Sequence, residues 1–262
     1  MKNLIITLLI LIAIVVVISF VTRNNAPAPD NVNEPIATAL TATTSQVAYF
    51  NNVKGYYAEP IEEGDYPGVV LIHEWWGLND NIKGAAEKLA REGYQVLAVD
   101  LYNGKVATTT ADAQKYVASV KQPESTNNLK AAVNFLANKG ADKIASFGWC
   151  FGGGKSLELA MSGEKLDATV IYYGQLTDDR NKLKNISWPI LGIFGDKDTS
   201  ISTSSVSAFS KALDELNINN EIYMYPGVGH AFANPSNRDY APTQTADAWA
   251  KTLAFLDKHL KQ

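Results

Sequence analysis

Residues 143–154 read KIASFGWCFGGG, and the fold turns on how they are read. A short apolar stretch with strand character, Ile144 to Phe147, runs into Gly148-Trp149-Cys150-Phe151-Gly152, and helix-forming residues from Lys155 to Met161 follow at once. A strand that must reverse into a helix within a few residues forces its turning residue into a strained backbone conformation, and only flanking glycines leave space for that. The turning residue is Cys150. Its side chain is expected at the C-terminal edge of a sheet, beside the N-terminus of the next helix, where free N–H groups and the positive dipole end favour an anionic sulfur. That is a nucleophile's position. The same residues also fit a plainer description, a small buried cysteine in a tight glycine turn, because Gly-x-Cys-x-Gly is short enough to arise by chance.

The pattern repeats on either side. Gly68 to Ile72 (GVVLI) and Tyr94 to Val99 (YQVLAV) are continuous apolar runs of the kind found in parallel strands buried on both faces. Between them, Leu78 to Glu92 places Ile82, Ala85, Ala86, Leu89 and Ala90 at helical spacing, with Gly93 as a stop. Helical segments at Ala111–Val120 and Glu124–Asn138 lead to the strand at Ile144. Further strands are expected at Ala168–Tyr173, Pro189–Phe194 and Glu221–Tyr225, with helices at Thr203–Leu216 and Tyr240–Leu260. Val47 to Tyr57 reads as a hairpin turning at Asn51-Asn52 and pairing at one edge. This alternation predicts an α/β fold: a doubly wound, mostly parallel sheet with helices on both faces.

Composition narrows the function. With 262 residues and 46% hydrophobic content the chain can bury a sizeable core as one domain. A formal net charge of −4 without Lys/Arg clusters argues against nucleic-acid binding. The single cysteine excludes an intramolecular disulfide, and the three scattered histidines, lacking a second cysteine, make no zinc ligand pattern. No metal or cofactor is expected.

The N-terminus is separate. Leu4 to Val21 is apolar apart from Thr7 and Ser19, with Lys2 before it and Arg23 after it. As a helix it would reach about 27 Å, nearly the hydrocarbon thickness of a bilayer. A secretory signal has a shorter apolar centre and a small-x-small cleavage site, and Ser19 to Thr22 offer none that is clean. The expectation is a membrane anchor or signal over residues 1–22, with the domain exported, or secreted if the segment is cleaved. Residues 23–44, rich in Asn, Ala, Pro and Thr, read as a flexible tether, and residues 45–262 as the folded domain.

In sheets of this kind ligands bind outside the carboxyl ends of the strands. Four groups with catalytic chemistry fall at such ends: Glu74, Cys150, Asp198 and His230. The order nucleophile, acid, histidine is that of the α/β-hydrolase triad. Each also has a plainer reading: a solvated loop histidine, a surface glutamate, or, for Asp196 and Asp198 alike, a turn-former. His73 reads as a packing or hydrogen-bonding residue, and His259, at a lysine-rich helix end, as solvent-facing.

With these residues in view, the sequence resembles the dienelactone hydrolase family. The resemblance rests on Glu74 in HEWWGLN, on Asp100-Leu101-Tyr102, on GWCFGG around Cys150, on GDKD ending at Asp198, and on His230-Ala231-Phe232, and it runs from about Ser45 to the C-terminus. It implies an α/β-hydrolase fold with Cys150 as nucleophile, His230 as base, Asp198 as the acid that orients the base, and Glu74 as an additional glutamate that meets the thiol. The implied reaction is hydrolysis of a small-molecule ester or lactone through a thioacyl intermediate, its oxyanion met by the backbone N–H groups of Phe151 and Trp75. Trp76, Tyr102 and Phe232 are expected to line a substrate pocket, although aromatic residues equally suit the core. Family members that act on dienelactone hold its carboxylate with two arginines, and the corresponding places here are Gly104 and Asn234, with Lys105 and Arg238 only near in sequence. A neutral or differently held ester is therefore as compatible as an anionic lactone. Two other classes remain: a catalytically silent, membrane-tethered binding module on the same fold, and a thiol redox protein, which the absence of a resolving cysteine disfavours.

Overall fold

A computed structural model describes residues 39–261, so the apolar run at Leu4–Val21 and most of the 23–44 tether lie outside the described residues. Strand pairing begins slightly earlier than the expected Ser45. Leu40 N–H donates to Arg91 O at 2.9 Å, and β1 (Ala42–Phe50) already pairs with β2 (Val53–Pro60) from Ala42 onward. Asn51 turns this hairpin at φ +48°, a conformation that Asn tolerates better than most side chains.

The remaining strands are β3 (Gly68–Ile72), β4 (Gln95–Val99), β5 (Ile144–Trp149), β6 (Ala168–Tyr172), β7 (Ile190–Gly195) and β8 (Asn220–Tyr225). They form one eight-stranded sheet in the order β1-β2-β4-β3-β5-β6-β7-β8. Every pairing from β4 through to β8 is parallel, and the β1–β2 hairpin adds the antiparallel edge. The helices are α1 (Asp80–Arg91), α2 (Thr110–Ser119), α3 (Glu124–Asn138), α4 (Phe151–Met161), α5 (Arg180–Leu183), α6 (Thr203–Glu215) and α7 (Pro242–Leu260).

Strand periodicity divides the core in two. Val70 and Ile72 face one side with Leu129 of α3, Leu157 of α4 and Phe209 of α6, while Val69 and Leu71 face the other with Leu89 of α1 and Phe255 of α7. All four β3 side chains are at 0% exposure, and each such aliphatic group contributes about 1.5–3 kcal/mol by leaving water. Both faces being covered explains the unbroken apolar runs. Among the described residues, no helix is long and apolar enough to cross a membrane.

Gly84 is exposed in the middle of α1, and a Cβ added there would meet nothing within 4 Å. Gly84→Ala is therefore expected to stabilise the fold by about 0.5–1 kcal/mol, through helix propensity alone. Denaturant unfolding checks this: an unchanged or lower midpoint would mean that the glycine is needed for packing.

Candidate active site

The site is built on the turn between β5 and α4. Cys150 sits at φ +54°, and its N–H donates to Tyr172 O at 2.9 Å on neighbouring β6. The glycines around it are required by distance. A Cβ on Gly148 would lie 2.2 Å from Gly152 O, and one on Gly152 would lie 2.3 Å from Ile72 O. These contacts are backbone to backbone, so no side-chain movement relieves them. The result is a thiol raised at the head of α4, above the carboxyl ends of β3 and β5.

The loops after β7 and β8 bring His230 and Asp198 to it. His230 Nε2 is 3.1 Å from Cys150 Sγ, and His230 Nδ1 is 2.8 Å from Asp198 Oδ2. Asp198 has no exposed side-chain surface, and its Oδ1 accepts from the N–H groups of Ser200 at 2.7 Å and Ile201 at 2.9 Å. Burial alone would raise its pKa, but the hydrogen bonds from His230, Ile201 and Ser200 outweigh it and hold the carboxyl below its usual range. Burial likewise works against a charged His230, yet Asp198 on one nitrogen and Cys150 on the other push the imidazole up to about 10. The ambiguity between the two aspartates resolves by geometry: Asp196 Oδ1 accepts from Gly227 N–H at 2.7 Å and holds the turn, while Asp198 faces the histidine. Asn237 Nδ2 donates to the carbonyls of His230 at 3.1 Å and Ala231 at 3.2 Å, fixing the histidine loop.

Glu74 is buried on the same cavity, but its carboxyl meets Asn234, and no hydrogen bond joins it to the thiol among the described residues. Asn234 Oδ1 accepts from Ser236 N–H at 2.8 Å and from Asn81 Nδ2 at 3.2 Å, so its amide N–H must point the other way, at Glu74 Oε2. Burial pushes the Glu74 carboxyl up to about 7, against the opposing effects of His230 and Asn234. The folded state thus holds a proton on Glu74 that the unfolded chain releases near pH 4.5, and stability falls as pH rises between these values. Glu74→Gln keeps an acceptor for Asn234 and removes the titration. Its gain over wild type is expected to be near zero at pH 4.5 and to reach about 3 kcal/mol by pH 8. Urea unfolding at the two pH values tests this; a gain independent of pH would refute it.

Two further residues shape the loop after β3. His73 is fully buried, with Nδ1 2.6 Å from Glu74 O and Nε2 accepting from Leu101 N–H at 3.1 Å, an arrangement that fixes the Nδ1–H tautomer. Burial holds its pKa below the usual value. Tyr102 Oη donates to Trp75 O at 3.1 Å, and Asp100 Oδ1 in turn accepts from Tyr102 N–H at 2.7 Å. The N–H groups of Trp75 and Phe151 are engaged by no acceptor among the described residues.

The cavity beside Cys150 measures about 720 Å³ and is lined by Trp75, Trp76, Cys150, Tyr173 and His230 among others. Trp76 lines it. Tyr102 and Phe232 do not. Tyr102 is buried behind the wall, spending its hydroxyl on the Trp75 carbonyl, and Phe232 is core, at 0% exposure against Tyr173 and Tyr225. Amphipathic aromatic residues near a site leave this choice to packing, which sequence position does not encode. Nor is His259 solvent-facing: it is half-buried, its ring 4.8 Å from that of Phe255 and its Nε2 shielded from water. Gly104 lies outside the cavity, in a loop whose N–H Asp100 caps, and Arg238 stands on the rim, 91% exposed and paired with Asp239. Asn234 carried no functional signal of its own in the sequence; only its spacing from His230 could have drawn attention to it.

The chain is similar to several known proteins. The Dienelactone hydrolase family matches residues 53–260. "Protein usf" of Aquifex pyrophilus is 34% identical over 219 residues, covering 79% of this chain and 94% of that protein. A protein of Aquifex aeolicus named "Putative carboxymethylenebutenolidase" is 31% identical over 220 residues, covering 80% and 94%. The crystal structure of a Klebsiella pneumoniae protein named "Putative Dienelactone Hydrolase" superposes with a TM-score of 0.75 at 26% identity, covering 81% of this chain and 97% of that one. The family match takes in most of the described residues, and the chain belongs to the dienelactone hydrolase family, hydrolases of ester bonds on the α/β-hydrolase fold.

Proposed function

We propose that the protein hydrolyses a carboxylic ester or lactone with Cys150 as nucleophile, His230 as general base and Asp198 as the group that orients the base. One observation carries this reading: a single imidazole touches the thiol through one nitrogen, at 3.1 Å, and a buried carboxylate through the other, at 2.8 Å. The proton of Sγ passes to Nε2, and Asp198 stabilises the resulting imidazolium. Sulfur then adds to the substrate carbonyl carbon and the π electrons move to oxygen. The N–H groups of Phe151 and Trp75 are the donors for that oxyanion, and loss of such a donor typically costs about 3–4 kcal/mol. Collapse expels the alkoxide, which takes the proton from Nε2 and leaves a thioester on Cys150. Water, deprotonated by His230, attacks the thioester, and sulfur departs with its proton restored.

Glu74 enters as an adjacent acid that tunes the site rather than as the thiol's partner. Two features favour a substrate without a carboxylate. Asn234, at one of the places where dienelactone-acting relatives carry arginine, is committed to Glu74, and Gly104, at the other, lies away from the cavity.

The test is release of p-nitrophenol from p-nitrophenyl acetate by the full chain. Activity in the wild type, lost in His230→Ala and after iodoacetamide treatment, is the expected result. A folded, reduced chain that neither turns over the ester nor reacts with iodoacetamide would instead be a silent binding module. We also propose that residues 4–21 tether this domain to a membrane with the domain outside the cytoplasm; extraction of the protein from membranes by sodium carbonate would defeat the tether.

A further inference from the structure

A second cavity, of about 430 Å³, lies between α1 and α7, beside the one at Cys150. The two share a wall made by Glu74, Asn81, Tyr173 and Asn234. One side is the face of α1 carrying Gly84, Ala85 and Lys88, spaced i, i+1 and i+4; the other is the face of α7 carrying Thr245, Ala246 and Trp249. The floor is aromatic, from Trp149 at the end of β5 and Tyr172 at the end of β6. A cleft of a few hundred cubic ångströms in which aromatic rings stand beside polar side chains has the character of a small-molecule site.

Two details say what would occupy it. Lys88 is exposed at the cleft with its ammonium 4.9 Å from the Trp249 ring centroid, and it makes no ion pair among the described residues. The other charged group, Glu74, belongs to the shared wall, where Asn234 already engages one of its oxygens. The cleft therefore offers one available cation beside aromatic rings. Gly84 is the second detail. Glycine is the poorest helix former after proline, and packing does not require it here, since an added Cβ would meet nothing within 4 Å. Its missing side chain keeps the α1 wall open.

We propose that this cleft binds an aromatic monocarboxylate, its ring against Trp149 and Trp249 and its carboxylate at Lys88. The proposal is independent of the role of Cys150. Equilibrium dialysis of 2-naphthoate against the full chain tests it, with the neutral 2-naphthamide as comparison. Saturable, one-to-one binding of 2-naphthoate is expected. Gly84→Leu, which fills the α1 wall, is expected to weaken it at least about tenfold. Lys88→Gln is expected to weaken 2-naphthoate about three- to fivefold and leave 2-naphthamide unchanged. Absence of saturable binding would overturn the proposal. So would wild-type affinity in a Gly84→Leu chain with a wild-type circular dichroism spectrum, or equal loss of both probes in Lys88→Gln. Should Gly84→Leu fail to fold, Ala246→Phe fills the same cleft from α7 and is read by the same criteria.

Discussion

Cys150→Ala is expected to lower kcat/KM for p-nitrophenyl acetate by at least about 10⁴-fold, down to the background reaction of the buffer. The chain has no second thiol to substitute for it. Sγ faces His230 Nε2 at 3.1 Å, so its removal takes away both the proposed nucleophile and one of the two contacts that raise the affinity of the imidazole for a proton. Alanine adds no bulk at the turn. The strain at φ +54° is already borne by a side chain, so the fold should persist and the loss be chemical. Steady-state kinetics beside a thermal melt separates these effects. A variant that melts like the wild type and retains a tenth of its activity would remove Cys150 from the mechanism.

The second large effect is structural. Gly152→Ala is expected to destabilise the domain by about 3 kcal/mol or more, lowering the melting temperature by about 6–12 °C. The added Cβ would sit 2.3 Å from Ile72 O and 2.6 Å from His73 O. Ile72 ends β3, whose backbone is locked in parallel pairing with β4 and β5, and His73 follows it directly. Relief would require α4 to lift off the sheet, moving the thiol with it. Calorimetry or denaturant unfolding reads this directly, and a wild-type melting temperature would show that the approach of α4 to β3 is looser than described.

Much of this was legible from local pattern. The apolar runs at Val69–Ile72 and Val96–Val99 are continuous because both faces of the sheet are covered, and that continuity announces parallel pairing. Cys150, Asp198 and His230 each end or follow a recognisable strand, so the fold brings together what the chain keeps apart. What escaped depends on long-range partners. Asn234 is fixed by Glu74, 160 residues away, and by Asn81, 153 away; neither pairing leaves a local trace. Tyr102 and Phe232 show the same limit, since an aromatic side chain beside a site can serve cavity, support or core alike. The short α5, a four-residue helix capped by Asp179, is below the length at which periodicity speaks.

The ring of His73 joins the ends of two strands with a single proton. One nitrogen gives it to Glu74 O, and the other must stay bare to receive Leu101 N–H. A second proton would set two donors face to face and part those strand ends, drawing the Trp75 backbone out of register with Cys150. The acid threshold for unfolding is on this account set by the scaffold, and Cys150→Ser would leave it where it stands.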